Sequence, residues 1–388
     1  MEVYNPQRIK KADMVVGIPS YNEAPTIGFV AKQAARGLKE YFPQKSSVIV
    51  NVDNNSSDGT REAFLSSESE TPLIYITTPQ GIKGKGYNFH NLFSLFRNLK
   101  AKVGIVVDAD LKSIEPIWIK NLAEPILSGY GYTTPFYARR KDDATITNQI
   151  VYPLVYGLLG VNLRQPIGGE FSFSSKLVDI WLNQEWSKRI NQFGIDIFMS
   201  ANAILSGAKI CQVNLGRKVH KNSDPNLGPM FIQVAETFFG IISNNFNKIR
   251  KGREVLEIPI LGMKDFPKIE NTIPNWDKFE SLFRSEFVRY KNIIKECVSE
   301  SVLKKIENKE GPEINIDVWT NIVYNFIYCF HKEKDSQLIE ALRCLYFGRV
   351  SYFFKEIADL DPYRAEEKVL EQAKNFFDHR NYLLDKIK

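Results

Sequence analysis

Val103-Gly-Ile-Val-Val-Asp-Ala-Asp110 carries an apolar run into two aspartates separated by one alanine. A short run of this kind reads as a strand buried on both faces of a parallel sheet. Charge at the end of such a strand is costly to bury unless something compensates it. A divalent cation bridging to a diphosphate does so, because hard cations prefer carboxylate and phosphate oxygens. Working outward toward the N-terminus, the same pattern recurs. Met14–Ile18, Ser47–Val52 and Leu73–Ile76 are further buried strands. Helical periodicity spans Thr26–Tyr41, Thr60–Ser66 and Tyr87–Leu99 between them. Strands alternating with helices, with polar loops after the strands, predict a doubly wound, mostly parallel, Rossmann-like α/β sheet that binds ligands at the strands' carboxyl ends.

Toward the C-terminus the pattern changes. Gly131–Thr134, Phe171–Ser174 and Lys209–Leu215 are candidate strands, and the chain turns helical from about Pro225. Pro259, Pro267 and Pro274 mark a crossing linker over 254–275, and everything from Trp276 onward reads as helix. The expected division is therefore residues 1–255 as the α/β domain and 256–388 as a helical C-terminal extension. The extension's aromatics, Trp319, Tyr324, Phe326, Tyr328 and Phe330, suit a core or a subunit interface, so a homo-oligomer is expected.

Composition narrows the class. The chain has 388 residues, 44% apolar and 25% charged, which is ordinary for a globular protein. Its net charge of +6 comes from scattered residues, so no nucleic-acid partner is implied. A mild basic excess suits phosphate- or carboxylate-bearing substrates. The four cysteines lack CxxC spacing, and the first residues hold no apolar signal core. No apolar run is long enough to span a bilayer. A cytoplasmic location without stable membrane insertion is the expectation.

The polar loops carry the chemistry. Pro19-Ser-Tyr-Asn-Glu23 follows the first strand, where a nucleotide would lie, and Asp53 ends the second, where a carboxylate accepts from a base or ribose. Lys85, flanked by Gly84 and Gly86, opens a helix. Flanking glycines allow backbone to approach phosphate beside the positive helix end. His220 follows the strand ending at Leu215 and completes a mixed oxygen–nitrogen site suited to Mg²⁺ or Mn²⁺.

In order, PSYNEAPTI (19–27), VDNNSSDGT (52–60), GKGYNF (84–89), VDADL (107–111), PIGGEFSFS (166–174), FGID (193–196) and QVNLGRKVHKN (212–222) resemble the GT-A glycosyltransferases. The likeness is to the retaining group that makes mannosylglycerate, glucosylglycerate and glucosyl-3-phosphoglycerate. It implies a nucleoside diphosphate sugar donor held by Pro19, Tyr21, Glu23, Asp53 and Lys85. It gives Asp108 to ribose and sugar, Asp110 and His220 to the metal, and Gly168, Gly169 and Glu170 to the hydroxyls of the transferred sugar. Asp196 falls near the reacting centre; taken alone it is also a carboxylate suited to a helix N-terminus.

The same resemblance speaks to the acceptor. The mannosylglycerate type has an arginine eight residues before a threonine, the spacing of Arg139 and Thr147 here. An arginine fork matches a planar carboxylate. The phosphoglycerate type has an arginine two residues before that threonine, where this chain has Thr145. That departure favours free glycerate, while Arg140 and Lys141 keep 3-phosphoglycerate open. Asn222 is a further expected acceptor residue. No side chain reads as a nucleophile, and the pattern of inverting relatives is missing around Asn191–Asp196. Front-face transfer with retention is expected, with Lys85, Asp108 and Asp196 at the reacting centre. Two readings compete: an inverting transferase acting on polysaccharide or lipid phosphate, and a sugar-nucleotide-binding protein without turnover.

Overall fold

In the computed structural model, residues 2–221, 226–249, 254–265 and 267–388 are described. The chain divides into two compact units that interleave along the sequence. The first comprises Met1–Ala138, Gln165–Pro225 and Ile258–Pro267; the second comprises Arg139–Arg164, Asn226–Glu257 and Lys268–Lys388. The helical unit thus takes in two segments, Arg139–Arg164 and Asn226–Glu257, that begin before residue 256.

The strands, in chain order, are β1 (Glu2–Tyr4), β2 (Met14–Ser20), β3 (Ser47–Asp53), β4 (Leu73–Thr77), β5 (Val103–Val106), β6 (Tyr132–Tyr137), β7 (Val161–Asn162), β8 (Phe171–Ser174), β9 (Ile210–Gly216), β10 (Leu256–Glu257) and β11 (Ile260–Gly262). In the first unit they build one sheet ordered β1-β4-β3-β2-β5-β8-β6-β9-β11. Most pairs are parallel; β8 runs antiparallel to β5 and β6, and β1 antiparallel to β4. The linker expected over 254–275 contributes β11, which pairs with β9.

Helices cover both faces because the strands are apolar on both. Helix Ala24–Tyr41 buries Ile27, Val30, Ala31, Ala34 and Leu38, a stripe of helical period, against Met14, Val16 and Ile18. Helix Pro116–Leu127 joins the same core through Trp118, Ile119 and Leu122. Near helices Lys85–Asn98 and Ser175–Leu182 the core is aromatic: Phe93 stacks on Trp181 at 5.1 Å and meets Phe173 edge-on at 5.3 Å.

The strand order reverses between β2 and β5, which makes their carboxyl ends the switch point of the sheet. Pairing between them stops at Gly17 and Val106, while β2 continues beside β3 as far as Ser20 and Asp53. Pro19 therefore lies where β2 has a ladder partner on one side only, a position at which a missing N–H is tolerated.

The second unit is helical. Trp276–Cys297 packs on Ser336–Glu356, with Ile316–Glu333 and Pro362–Asp378 beside them. Its helix starts are written into the sequence. The side chains of Asn275, Ser299, Asn315, Asp335 and Asp361 each accept from a backbone N–H of the first turn. Trp319, Tyr324, Phe326 and Phe330 are buried within the chain and Tyr328 is half-buried, so these aromatics serve the core. Arg349 is buried too. It donates to Gln149, Gln372, Glu356 and the Ile314 carbonyl. Among the described residues, no helix is long and apolar enough to cross a membrane.

Candidate active site

At the end of β5 an alternating chain of charge is assembled from loops distant in sequence. Lys85 Nζ lies 3.1 Å from Asp196 Oδ2 and 3.4 Å from Asp108 Oδ1. Lys218 Nζ lies 2.7 Å from Asp108 Oδ2 and 2.9 Å from both Glu170 oxygens, and donates to the Gly168 carbonyl at 3.0 Å. Tyr137 donates its hydroxyl to Glu170 Oε2 at 2.7 Å.

Burial decides how these groups ionise. Burial alone would neutralise Asp108, but Lys218 and Lys85 outweigh it and hold the carboxyl far below its usual range. Burial likewise works against the Lys85 ammonium, and Asp108 and Asp196 more than offset it, so this lysine stays charged. Glu170 is fully buried. Desolvation, with the Asp108 charge, pushes its carboxyl up to about 7 despite Lys218. Asp196, in the first turn of helix Ile195–Leu205, is raised by burial against the pull of Lys85. Its Oδ1 is buried and has no hydrogen-bond partner among the described residues.

Asp110 and His220 stand together beside this chain, with Nδ1 3.9 Å from Oδ2. Both are partly exposed, at 20 % and 25 % for the side chains. The carboxylate also accepts from the Lys221 backbone N–H at 3.1 Å. One oxygen and one imidazole nitrogen this close, and reachable, fit two ligands of a divalent cation. Among the described residues no three metal-type side chains cluster, so such a cation would take its remaining ligands from elsewhere. Asp108 does not compete for this role, since both its oxygens face lysines.

The loop after β2 borders the same region. Tyr21 is exposed, and Lys83 donates to its hydroxyl while lying 4.4 Å from the ring centroid. Glu23 pairs with Lys221; its carboxyl is raised by burial, which outweighs that lysine. Asp53 is fully buried, and protein donors surround its carboxylate: Ser20 Oγ at 2.8 Å, Ser56 N at 2.8 Å, Ser56 Oγ at 2.6 Å and the Tyr75 hydroxyl at 2.9 Å. It ties the ends of β2, β3 and β4 together.

Two features depart from the expected roles. Gly84 and Gly86 bring the helix start against protein backbone. A Cβ at Gly86 would lie 2.0 Å from the Ile190 carbonyl oxygen, and one at Gly84 2.2 Å from that of Asn191. The N–H groups of Gly86 and Tyr87 already donate to Gln192 and Asn191. The glycines thus dock segment 190–192, which leads straight to Asp196. Glu170, expected to face a sugar, has no exposed surface and braces Lys218 instead. Gly169, at φ +99°, passes so close that a Cβ would lie 2.4 Å from Asp108 Oδ2.

Lys218 and Tyr137 are the members that sequence reading missed. Lys218 stands two residues before His220 in the same motif, but an isolated lysine reads as surface charge. Arg139 and Thr147 belong to the second unit. There Arg139 Nη1 lies 3.2 Å from Asp143, and Thr147 opens a π-helix, Thr147–Val151. Lys141 is buried and donates to the carbonyls of Ile357, Ala358 and Leu360, and the Thr145 hydroxyl pairs with that of Tyr346 at 2.6 Å. Asn222 lies outside the described residues.

The chain is similar in part to proteins of known activity. A 120-residue stretch is 28% identical to the mannosylglycerate synthase of Rhodothermus marinus, covering 29% of this chain and 30% of that protein. The chain therefore matches under a third of that relative's length. A glucosyl-3-phosphoglycerate synthase from Mycobacterium tuberculosis, solved with Mn²⁺, UDP and glucosyl-3-phosphoglycerate, aligns at 22% identity and a TM-score of 0.49, over 59% of this chain and 80% of that one. The same enzyme solved with Mg²⁺ and UDP aligns at 23% identity and a TM-score of 0.49, over 59% and 79%. The family description that matches is "Glycosyl transferase family 2", over residues 15–179.

Proposed function

We propose that the chain is a metal-dependent hexosyltransferase that moves glucose or mannose from a nucleoside diphosphate sugar to D-glycerate with retention of configuration. The observation that carries this reading is the Lys85–Asp108–Asp196 charge chain at the switch point of the sheet, with Asp110 and His220 beside it. Mg²⁺ or Mn²⁺ held by Asp110 and His220 would neutralise diphosphate charge. The sequence relative named a mannosylglycerate synthase supports this reading.

The residues divide the work. Lys85 is a fixed positive charge on the side where the diphosphate departs, pre-oriented by two carboxylates. Asp108 offers Oδ1 to the ribose and sugar. Asp196 Oδ1, buried and without a partner among the described residues, accepts from a substrate hydroxyl in this reading, and its partner oxygen is held by Lys85. Held in this way, Asp196 positions a hydroxyl rather than attacking carbon, which suits front-face transfer.

Free glycerate is favoured as the acceptor over 3-phosphoglycerate. The Lys141 ammonium is committed to three backbone carbonyls, and Arg140 pairs with Asp142. The buried Lys141 is therefore no ready phosphate ligand. Arg139 and Thr147 are the residues proposed to grip the carboxylate.

The test is a panel of UDP- and GDP-linked glucose and mannose against glycerate, 3-phosphoglycerate and lipid phosphate, with Mg²⁺ or Mn²⁺. NMR of the product assigns the anomeric configuration. Turnover confined to acceptors other than glycerate would overturn the acceptor, and an inverted product the mechanism.

A further inference from the structure

The Lys218 ammonium is held by protein acceptors on several sides. Its side chain is 6 % exposed. An ammonium has three N–H donors, and here they meet Asp108, the Gly168 carbonyl and the two oxygens of Glu170. These acceptors come from the end of β5 and from the turn before β8, while the lysine itself follows β9. Three loops therefore converge on one nitrogen atom. The convergence is close enough to require glycine: a Cβ at Gly169 would lie 2.6 Å from Lys218 Nζ as well as 2.4 Å from Asp108 Oδ2. Glu170, fully buried, touches Lys218 and Tyr137 and also accepts from the Asp108 backbone N–H at 3.4 Å.

A group with its donors spent on protein does not recognise substrate itself. It does determine where Asp108 points. Lys218 takes Oδ2 and leaves Oδ1 toward Lys85. We propose that Lys218, braced by Glu170, is a positioning residue that sets the Asp108 carboxylate and the Gly168–Gly169 turn as one rigid wall for the transferred sugar, and so governs selection among sugars rather than affinity for the nucleoside diphosphate. This rests on the donor reading given above.

The test compares binding of UDP-glucose with UDP, and of GDP-mannose with GDP, by calorimetry in Mg²⁺. The proteins are the wild type, Lys218→Arg, Lys218→Met and the charge-compensated double variant Lys218→Met/Glu170→Gln. The double variant removes the buried carboxylate that the single change would strand. In both Met variants, the preference of the sugar nucleotide over its parent diphosphate should fall roughly 10–100-fold, the scale of a lost charged hydrogen bond. The diphosphate itself should bind about as in the wild type, and Lys218→Arg should recover part of the preference. An equal loss for sugar nucleotide and diphosphate in the folded double variant would make Lys218 a phosphate ligand and overturn the proposal. An unchanged preference would do the same. Failure of the wild type to bind any of the four nucleotides would instead overturn the donor reading, and needs no variant to detect.

Discussion

Lys85 Nζ lies 3.1 Å from Asp196 Oδ2, although 111 residues separate them in the chain. The contact depends on two glycines. Gly84 and Gly86 allow segment 190–192 to lie against the start of helix Lys85–Asn98, and Asp196 follows four residues later. The Lys85–Asp196 ion pair and the local backbone packing are thus one feature.

The first prediction concerns that lysine. Lys85→Met removes a fixed positive charge and leaves Asp196 without its partner. The expected loss in kcat/KM is on the order of 100-fold or more, the scale for deleting one pre-organised donor. Steady-state kinetics with the active donor checks it; a loss below tenfold would remove Lys85 from the reacting centre.

Gly86→Ala tests the docking. Alanine favours a helix, yet its Cβ would meet a backbone carbonyl at 2.0 Å, which has no flexible side chain to yield. The clash should win, with a destabilisation of about 1–3 kcal/mol by urea denaturation. Gly59→Ala is the control. Among the described residues nothing lies within 4 Å of its Cβ, and the φ of +92° resists the change. Its cost should stay near that of a single left-handed residue, about 1–2 kcal/mol.

Asp110→Asn and His220→Ala should each weaken Mn²⁺ binding in the presence of UDP or GDP by at least about tenfold, with little change in melting temperature. Mn²⁺ paramagnetic resonance reads this without turnover. Unchanged Mn²⁺ affinity in both variants would place the metal elsewhere.

The pH dependence of stability should carry the signature of Glu170. Its carboxyl stands at about 7 in the folded chain against an ordinary 4.5. Between those values the native state holds a proton that the unfolded state has lost, so this contribution is complete below about 4.5 and disappears as pH rises through about 7. Asp108 works in the opposite sense, through a depressed carboxyl, and over a lower range. Urea midpoints of the wild type and Glu170→Gln should therefore converge or cross as pH rises from 4.5 to 7. Parallel curves would refute the assignment.

Arg139→Ala should chiefly raise the KM for glycerate, since a guanidinium that grips the acceptor carboxylate contributes binding. An effect confined to kcat, or none, would take Arg139 out of the acceptor site.

Much of this was legible in the residues. The strands ending at Ser20, Asp53, Thr77 and Val106 were marked by short apolar runs closed by polar turns, and pairing confirmed them nearly to the residue. Edge strands β1 and β11 were not legible. Three residues with exposed side chains carry no period, and only their neighbours define them. The glycines around Lys85 were noticed, but for phosphate rather than for the Ile190 carbonyl, because sequence does not reveal what approaches a glycine.

By itself, then, the order of apolar runs, caps and acidic turns determined a mostly parallel α/β sheet, a helical C-terminal region and an acidic turn, Asp108 to Asp110, at the end of a buried strand. These are local properties: periodicity and turn chemistry act within a few residues. Tertiary structure alone decided that Asp108 is held between Lys85 and Lys218, that Glu170 is a buried brace, and that Asp53 serves its neighbours. Those outcomes depend on which loops meet at the sheet's carboxyl edge. Desolvation and Coulomb energy depend on the resulting distances, which no one segment of the chain contains.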